Sequence, residues 1–284
     1  MKNEKRKFLE TFFAAAKYPP DAALFSDFLG EKIDQKYPPK NPDDEFWRQK
    51  YLKKAKFWLP ILRFFPGILG VAVCNSLAFG GGGKNSDIDL FVIAKKNRLW
   101  TARVFSTLFF HFLKLRRHGK KIAGRFCFSF FIDETALDFS KIAITPRDPY
   151  LAFWISAILP IFGREIFQKF AAKNRDFVKK NTPIKIRFEK NLSKIPKISP
   201  RFRPFFEKKI NFFSKIWGEK ISFGDAVELF LKTIFLPRTQ KKAEKLPDKS
   251  GTILSENILK FHNSDRRAFF AEKMKVFFDE KISF

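Results

Sequence analysis

Val73-Cys74-Asn75-Ser76-Leu77-Ala78-Phe79-Gly80 runs through Gly81-Gly82-Gly83-Lys84-Asn85 into Ser86-Asp87-Ile88-Asp89-Leu90-Phe91-Val92-Ile93. The apolar segment Ile68 to Val73 reads as a strand, and the turn and glycine loop from Ser76 to Gly83 separate it from a second strand, Asp87 to Ala94. In that second strand Ile88, Leu90 and Val92 point one way and Phe91 and Ile93 the other. A strand apolar on both faces lies inside a sheet, not at its edge.

Asp87 and Asp89, two apart at the start of that strand, project to one side with α-carbons about 7 Å apart. Carboxylates so placed can converge on divalent metal, and Mg²⁺ (or Mn²⁺) takes one or two of them together with water and phosphate oxygens. Backbone N–H groups of the turn and the Ser76 hydroxyl are donors to phosphate, the glycines let a ligand approach the backbone, and Lys84 adds a cation. This is not a Walker A loop. Asn85 follows Gly83-Lys84 where Ser or Thr is required, and Ala78 stands where the leading glycine belongs.

Working outward, Leu99, Trp100, Val104, Phe105, Leu108, Phe109, Phe112 and Leu113 recur at helical spacing. A basic loop from Lys114 to Arg125 follows, with six Lys or Arg and no acid, and then a third strand, Phe126 to Ile132. Residues 67–147 therefore form an α/β (α+β) core with a small mixed sheet. Residues 1–66 and 148–284 read as helical flanks. The first has turns at Tyr18-Pro19-Pro20-Asp21 and Tyr37-Pro38-Pro39, and an aromatic stripe (Phe46, Trp47, Leu52, Phe57, Trp58) expected to pack on the core. In the second, helices are expected over Tyr150 to Phe162, Glu165 to Phe170, Phe202 to Trp217, Phe223 to Phe235 and Ser264 to Phe278.

Charge narrows the partners. Against 56 Lys plus Arg the 284-residue chain sets 29 Asp plus Glu, a formal net charge of +27. Such a balance favours polyanions: NTPs, and RNA or DNA through the basic loop and the C-terminal flank, where Lys185, Arg187, Lys194, Lys197, Arg201 and Arg203 share a connector. Cys74 and Cys127, each in an apolar stretch and without CxxC spacing, read as free thiols in a reducing compartment. The uncharged run Phe64 to Gly83 is interrupted by Pro66, Asn75, Ser76 and four glycines, and Pro149 to Gly163 is too short to span a bilayer. No membrane partner and a cytoplasmic location are expected.

Ser76, Ala78, Gly80, Ser86, Asp87 and Asp89 fall, without a gap, where the DNA polymerase β-like nucleotidyltransferase superfamily carries its strand, Gly-Ser turn and Ser-Asp-x-Asp strand. The segment resembles that superfamily. A fainter similarity to uncharacterised bacterial nucleotidyltransferase-domain proteins extends to Lys260-Phe261-His262 and Asp265-Arg266-Arg267. The resemblance implies transfer of a nucleoside monophosphate from an NTP to an acceptor. It gives Asp87 and Asp89 to the metal, and Asn75, Ser76, Lys84 and Ser86 to the nucleotide.

Two departures stand out. Asn75 replaces the usual glycine before the serine, at a turn where a left-handed backbone would favour Gly or Asn. The third acid that active members place on a later strand is missing from Phe126 to Ile132, so Asp133 is its nearest substitute, with Glu134 and Asp138 behind it. The alternative to a transferase is a catalytically degenerate form of the same fold that binds nucleic acid. His111 and His118 read as packed or solvated, and His262 as part of an ion-pair network with Asp265 and Arg266.

Overall fold

The computed structural model of the chain describes residues 2–15, 42–144, 147–197, 223–246, 251–261 and 265–279. Its helices are α1 (Lys2–Ala15), α2 (Pro42–Trp58), α3 (Asn75–Ala78), α4 (Leu99–Phe112), α5 (Pro149–Ala157), α6 (Arg164–Asn181), α7 (Phe223–Glu244), α8 (Arg267–Lys273) and α9 (Val276–Asp279). Its strands are β1 (Ile68–Val73), β2 (Ile88–Ala94), β3 (Phe126–Asp133), β4 (Leu159–Phe162), β5 (Thr252–Leu254) and β6 (Ile258–Phe261). They form one mixed sheet of order β4-β1-β2-β3-β6-β5 in an α+β arrangement.

β2 is interior, as its two apolar faces require. It pairs antiparallel with β1 and parallel with β3. A parallel neighbour cannot be reached by a hairpin, and α4 is the crossover that makes the connection. On one face Val71, Val73, Leu90 and Val92 pack against α4, against Tyr51 and Ala55 on the inward side of α2, and against Leu59 just after it. On the other, Phe91, Ile93, Phe130 and Ile132 pack against Trp154 of α5 and Phe167 and Phe170 of α6. A third cluster, Phe8, Phe12 and Phe13 of α1 with Phe153, Phe270 and Phe277, ties the two ends of the chain to α5.

The sheet is larger than residues 67–147 supply. β4, β5 and β6, three of its six strands, come from the flank that reads as helical. Instead of a helix to Phe162, α5 stops at Ala157 and the chain turns into β4, where Pro160 sits on the edge strand that tolerates it. Gly163 then re-enters helix at φ +97°, and an added Cβ would stand 2.4 Å from the Leu69 carbonyl oxygen. The helix from Arg164 runs to Asn181, α7 continues past Pro237 to Glu244, and the last helix divides into α8 and α9. The turns at residues 18–21 and 37–39 and the helix expected over 202–217 lie outside the described residues. Among those described, no helix is long and apolar enough to cross a membrane.

Candidate functional site

The turn after β1 does adopt the left-handed backbone, with Asn75 at φ 56°. Asn can occupy that region at lower cost than most side chains, and here its amide is fixed by two partners. Asn75 Oδ1 accepts from Trp154 Nε1 at 2.8 Å, which leaves the amide nitrogen to donate to Asp89. Ser76 is the second residue of α3, and its carbonyl accepts from Gly81 N at 2.8 Å. Ser86 closes the glycine loop: its hydroxyl accepts from Gly83 N at 3.0 Å. Lys84 is exposed on the loop while its carbonyl accepts from Tyr51 of α2. Arg48 of α2 donates to the Leu77 carbonyl at 3.1 Å, so the aromatic-stripe helix acts as a brace for the loop.

At the start of β2 the parallel register sets Asp89 beside Cys127 of β3. One donor atom each from Asp87, Asp89 and Cys127 lie within 4.8 Å of one another. Burial, and then the charge of Asp87, pushes the Asp89 carboxyl up to about 7. Burial and both carboxylates push the Cys127 thiol well above its ordinary range. Arg117 Nη1 donates to Asp87 Oδ2 at 2.7 Å and lies 3.8 Å from Cys127 Sγ. Its place is set by backbone: Arg117 N donates to the Phe126 carbonyl, and Phe126 N to the Leu115 carbonyl, both at 2.9 Å.

Asp133 is not part of this cluster. It pairs in register with Ala94, at the opposite end of β3 from Cys127 and some ~20 Å along the strand. Its Oδ1 accepts from the Thr135 amide at 2.8 Å and from the Thr135 hydroxyl, a turn cap that explains the carboxylate locally. The position nearest the two aspartates on β3 belongs instead to Cys127. The sequence signal was available: Cys127 stands second in its strand, as Asp89 does in β2, but the parallel register was needed to pair them.

Asp87, Asp89 and Cys127 together could hold a metal ion, the two aspartates offering oxygen and Cys127 sulfur. Cys74 and Cys127 are free thiols, on β-strands' ends to either side of Asp89. Late in the chain, Arg267 donates to both carboxylate oxygens of Asp265 and to the Ile142 carbonyl, and stands 3.8 Å from buried Asp148. This network fastens α8 to the start of α5, with His262 outside the described residues. Arg187 of the basic connector is buried and donates to the Ala157 carbonyl at 3.2 Å, so its place is structural, while Arg201 and Arg203 lie outside the described residues.

Beside Asp89 a cleft of about 1110 Å³ opens between α4, the basic loop and α7. Arg103, Arg116, Arg117 and His118 line it from one side and Arg238, Lys241 and Lys242 from the other. Arg103 is packed with its guanidinium carbon 4.3 Å from the centre of the Phe261 ring, and burial lowers it to about 10. Glu228 positions α7 by accepting from Trp100 N, Thr101 N and the Thr101 hydroxyl at the start of α4. His111 is exposed, its ring 5.4 Å from that of His118. No protein-family model matches the chain, and the searches of curated proteins and of solved structures likewise found no match.

Proposed function

We propose that the chain is a metal-dependent nucleotidyltransferase that moves a nucleoside monophosphate from an NTP to an acceptor, with pyrophosphate leaving. One observation carries the reading: Asp87 and Asp89 converge at the start of an interior strand, next to the turn at left-handed Asn75, and Asp89 lines a cation-rich cleft. Asp87 and Asp89 would hold Mg²⁺ or Mn²⁺. When bound, the ion supplies positive charge to the phosphate oxygens on which negative charge develops.

The chain's own groups have distinct tasks. Asn75, tied to Trp154, orients Asp89 and presents the turn in which Ser76 faces the phosphates. Arg117, once released from Asp87, is a guanidinium with a free fork for a phosphate. Lys84 contributes charge from the loop, whereas Ser86 acts through the loop geometry it closes. Asp133 has no task in the reaction.

Thermal unfolding of the wild type and of Asp87→Asn/Asp89→Asn, with and without Mg²⁺ and a panel of NTPs, tests the reading. A ligand at about 100 times its dissociation constant adds roughly 2.7 kcal/mol. Stabilisation of the wild type and not of the double variant is expected; no response of the wild type to any NTP would defeat the proposal.

The Arg117–Asp87 pair also favours a second reading, in which the guanidinium stands permanently in the cation's place and the fold binds without turnover. Incorporation of α-³²P label from an NTP into any acceptor separates the two.

A further inference from the structure

The outer edge of β3 is paired at both ends and open between them. Leu115 and Arg117 bracket Phe126 by backbone hydrogen bonds, and β6 pairs with Phe130, Phe131 and Ile132. Cys127, Phe128 and Ser129 lie in the interval, where the register slips. The cleft enters the sheet at this interval and reaches Asp89.

Its walls are rich in cations. Among the described residues, Arg103, Arg116, Arg238, Lys241 and Lys242 have no ion-pair partner, and Asp89 is the one carboxylate in the lining. Phe235 adds half-buried ring surface beside the α7 cations, whereas Phe128 is buried in the core and the Phe261 ring is covered by the Arg103 guanidinium. A volume of about 1110 Å³ exceeds the range of roughly 300 to 1,000 Å³ usual for small-ligand pockets. Cations that track a backbone, interleaved with rings on which bases stack, are the means by which proteins hold single strands. A duplex would offer the charges its phosphates but would keep its base faces from the Phe235 ring.

We propose that this cleft seats the end of a single-stranded nucleic acid, its phosphates along Arg103, Arg116 and the α7 cations and its terminal sugar toward Asp89, which makes a polynucleotide the acceptor. The acceptor role rests on the transferase reading above. In the transfer, the terminal hydroxyl oxygen bonds to the α-phosphorus and the bond from that phosphorus to the bridging oxygen breaks. Pyrophosphate leaves with the electron pair, and the hydroxyl proton passes to water.

The test is fluorescence anisotropy of the full chain with labelled oligoadenylate and oligodeoxyadenylate of about ten nucleotides, within the site sizes such grooves take. The comparison is Arg238→Gln/Lys242→Gln, two exposed positions outside the core. The wild type is expected to bind either strand, and the double variant about tenfold or more weakly. The magnitude of its salt slope should fall by about 1.4, the amount two phosphate contacts contribute on a single strand. Its response to Mg²⁺ and NTP should match the wild type. Equal strand binding by the double variant overturns the proposal, as does equal competition by inorganic polyphosphate or a blunt duplex of matched charge. If strands bind through α7 but no NTP stabilises the wild type, the transferase reading fails and the acceptor role with it.

Discussion

Arg117 Nη1 stands 2.7 Å from Asp87 Oδ2, so one of the two carboxylates of the Asp-x-Asp strand already carries a cation. The arginine side chain is 39% exposed and the aspartate 14%, so the pair is open to solvent from the arginine's side and half-buried as a whole. Any metal must compete with it.

Arg117→Gln should therefore tighten Mn²⁺ binding to the nucleotide-free chain. Surface-type ion pairs contribute up to about 1 kcal/mol, which converts to roughly fivefold in affinity. Mn²⁺ titration followed by electron paramagnetic resonance reads this directly. Unchanged affinity would show that the guanidinium does not obstruct the carboxylates.

The Asp89 carboxyl, raised to about 7, sets a pH dependence in metal-free buffer. In the unfolded chain an aspartate loses its proton near pH 4; in the folded chain Asp89 keeps it until about 7. The folded state binds more protons within that window, so this group's contribution to stability falls as pH rises from about 4 to about 7 and is level above. Asp89→Asn should remove that decline and raise the unfolding temperature at pH 8 by a few degrees, at roughly 2–4 °C per kcal/mol for a chain this large. Melting curves across the pH range in chelator check it, and a variant no more stable than wild type at pH 8 would refute it.

The interior strands were legible because each element carries its own signal. Ile68 to Val73 and Ile88 to Ala94 are bounded by Asn, Gly and Asp, and the apolar period of α4 is uninterrupted. β4 and β5 lack such a signal: Leu159 to Phe162 is a four-residue apolar run that continues a helix by pattern, and Thr252 to Leu254 is shorter still. Both are strands because a sheet edge lies beside them. The site divides in the same way. Asp87, Asp89 and Asn75 are local to one stretch, whereas Cys127 and Arg117 join them only through the parallel register of β2 and β3 and the backbone bridge at Phe126. Asp133 lies at the far end of β3 from Asp89, because membership of the strand does not by itself say which of its ends faces the motif.

Asn75 and Trp154 form one unit. Asn75→Ala would place a Cβ-bearing residue with no local hydrogen bond at φ 56° and leave the Trp154 N–H without its acceptor. The backbone term costs about 1–2 kcal/mol and the lost acceptor roughly 1–3 kcal/mol. Asn75→Gly avoids the first and keeps the second. Denaturant unfolding should rank wild type above Asn75→Gly above Asn75→Ala; equal stability of the two variants would remove the left-handed backbone as the reason for Asn.

Glu228 holds the far wall of the cleft through three hydrogen bonds at 2.6, 2.7 and 2.8 Å to the first residues of α4. It acts as an N-terminal cap supplied from another helix, since Arg98, at the capping position, offers no side-chain acceptor. Arg98 instead pairs with Asp225 of α7 at 2.6 Å, so acids at the start of α7 anchor it to α4 while its basic end overhangs Asp89. Glu228→Ala should cost about 1–2 kcal/mol, the upper part of the range for a lost cap. The loss should fall locally: amide exchange at Trp100 and Thr101 accelerates, while that of Phe91 and Val92 changes only by the global amount. Uniform acceleration throughout the sheet, or none at Trp100 and Thr101, would separate the position of α7 from this carboxylate.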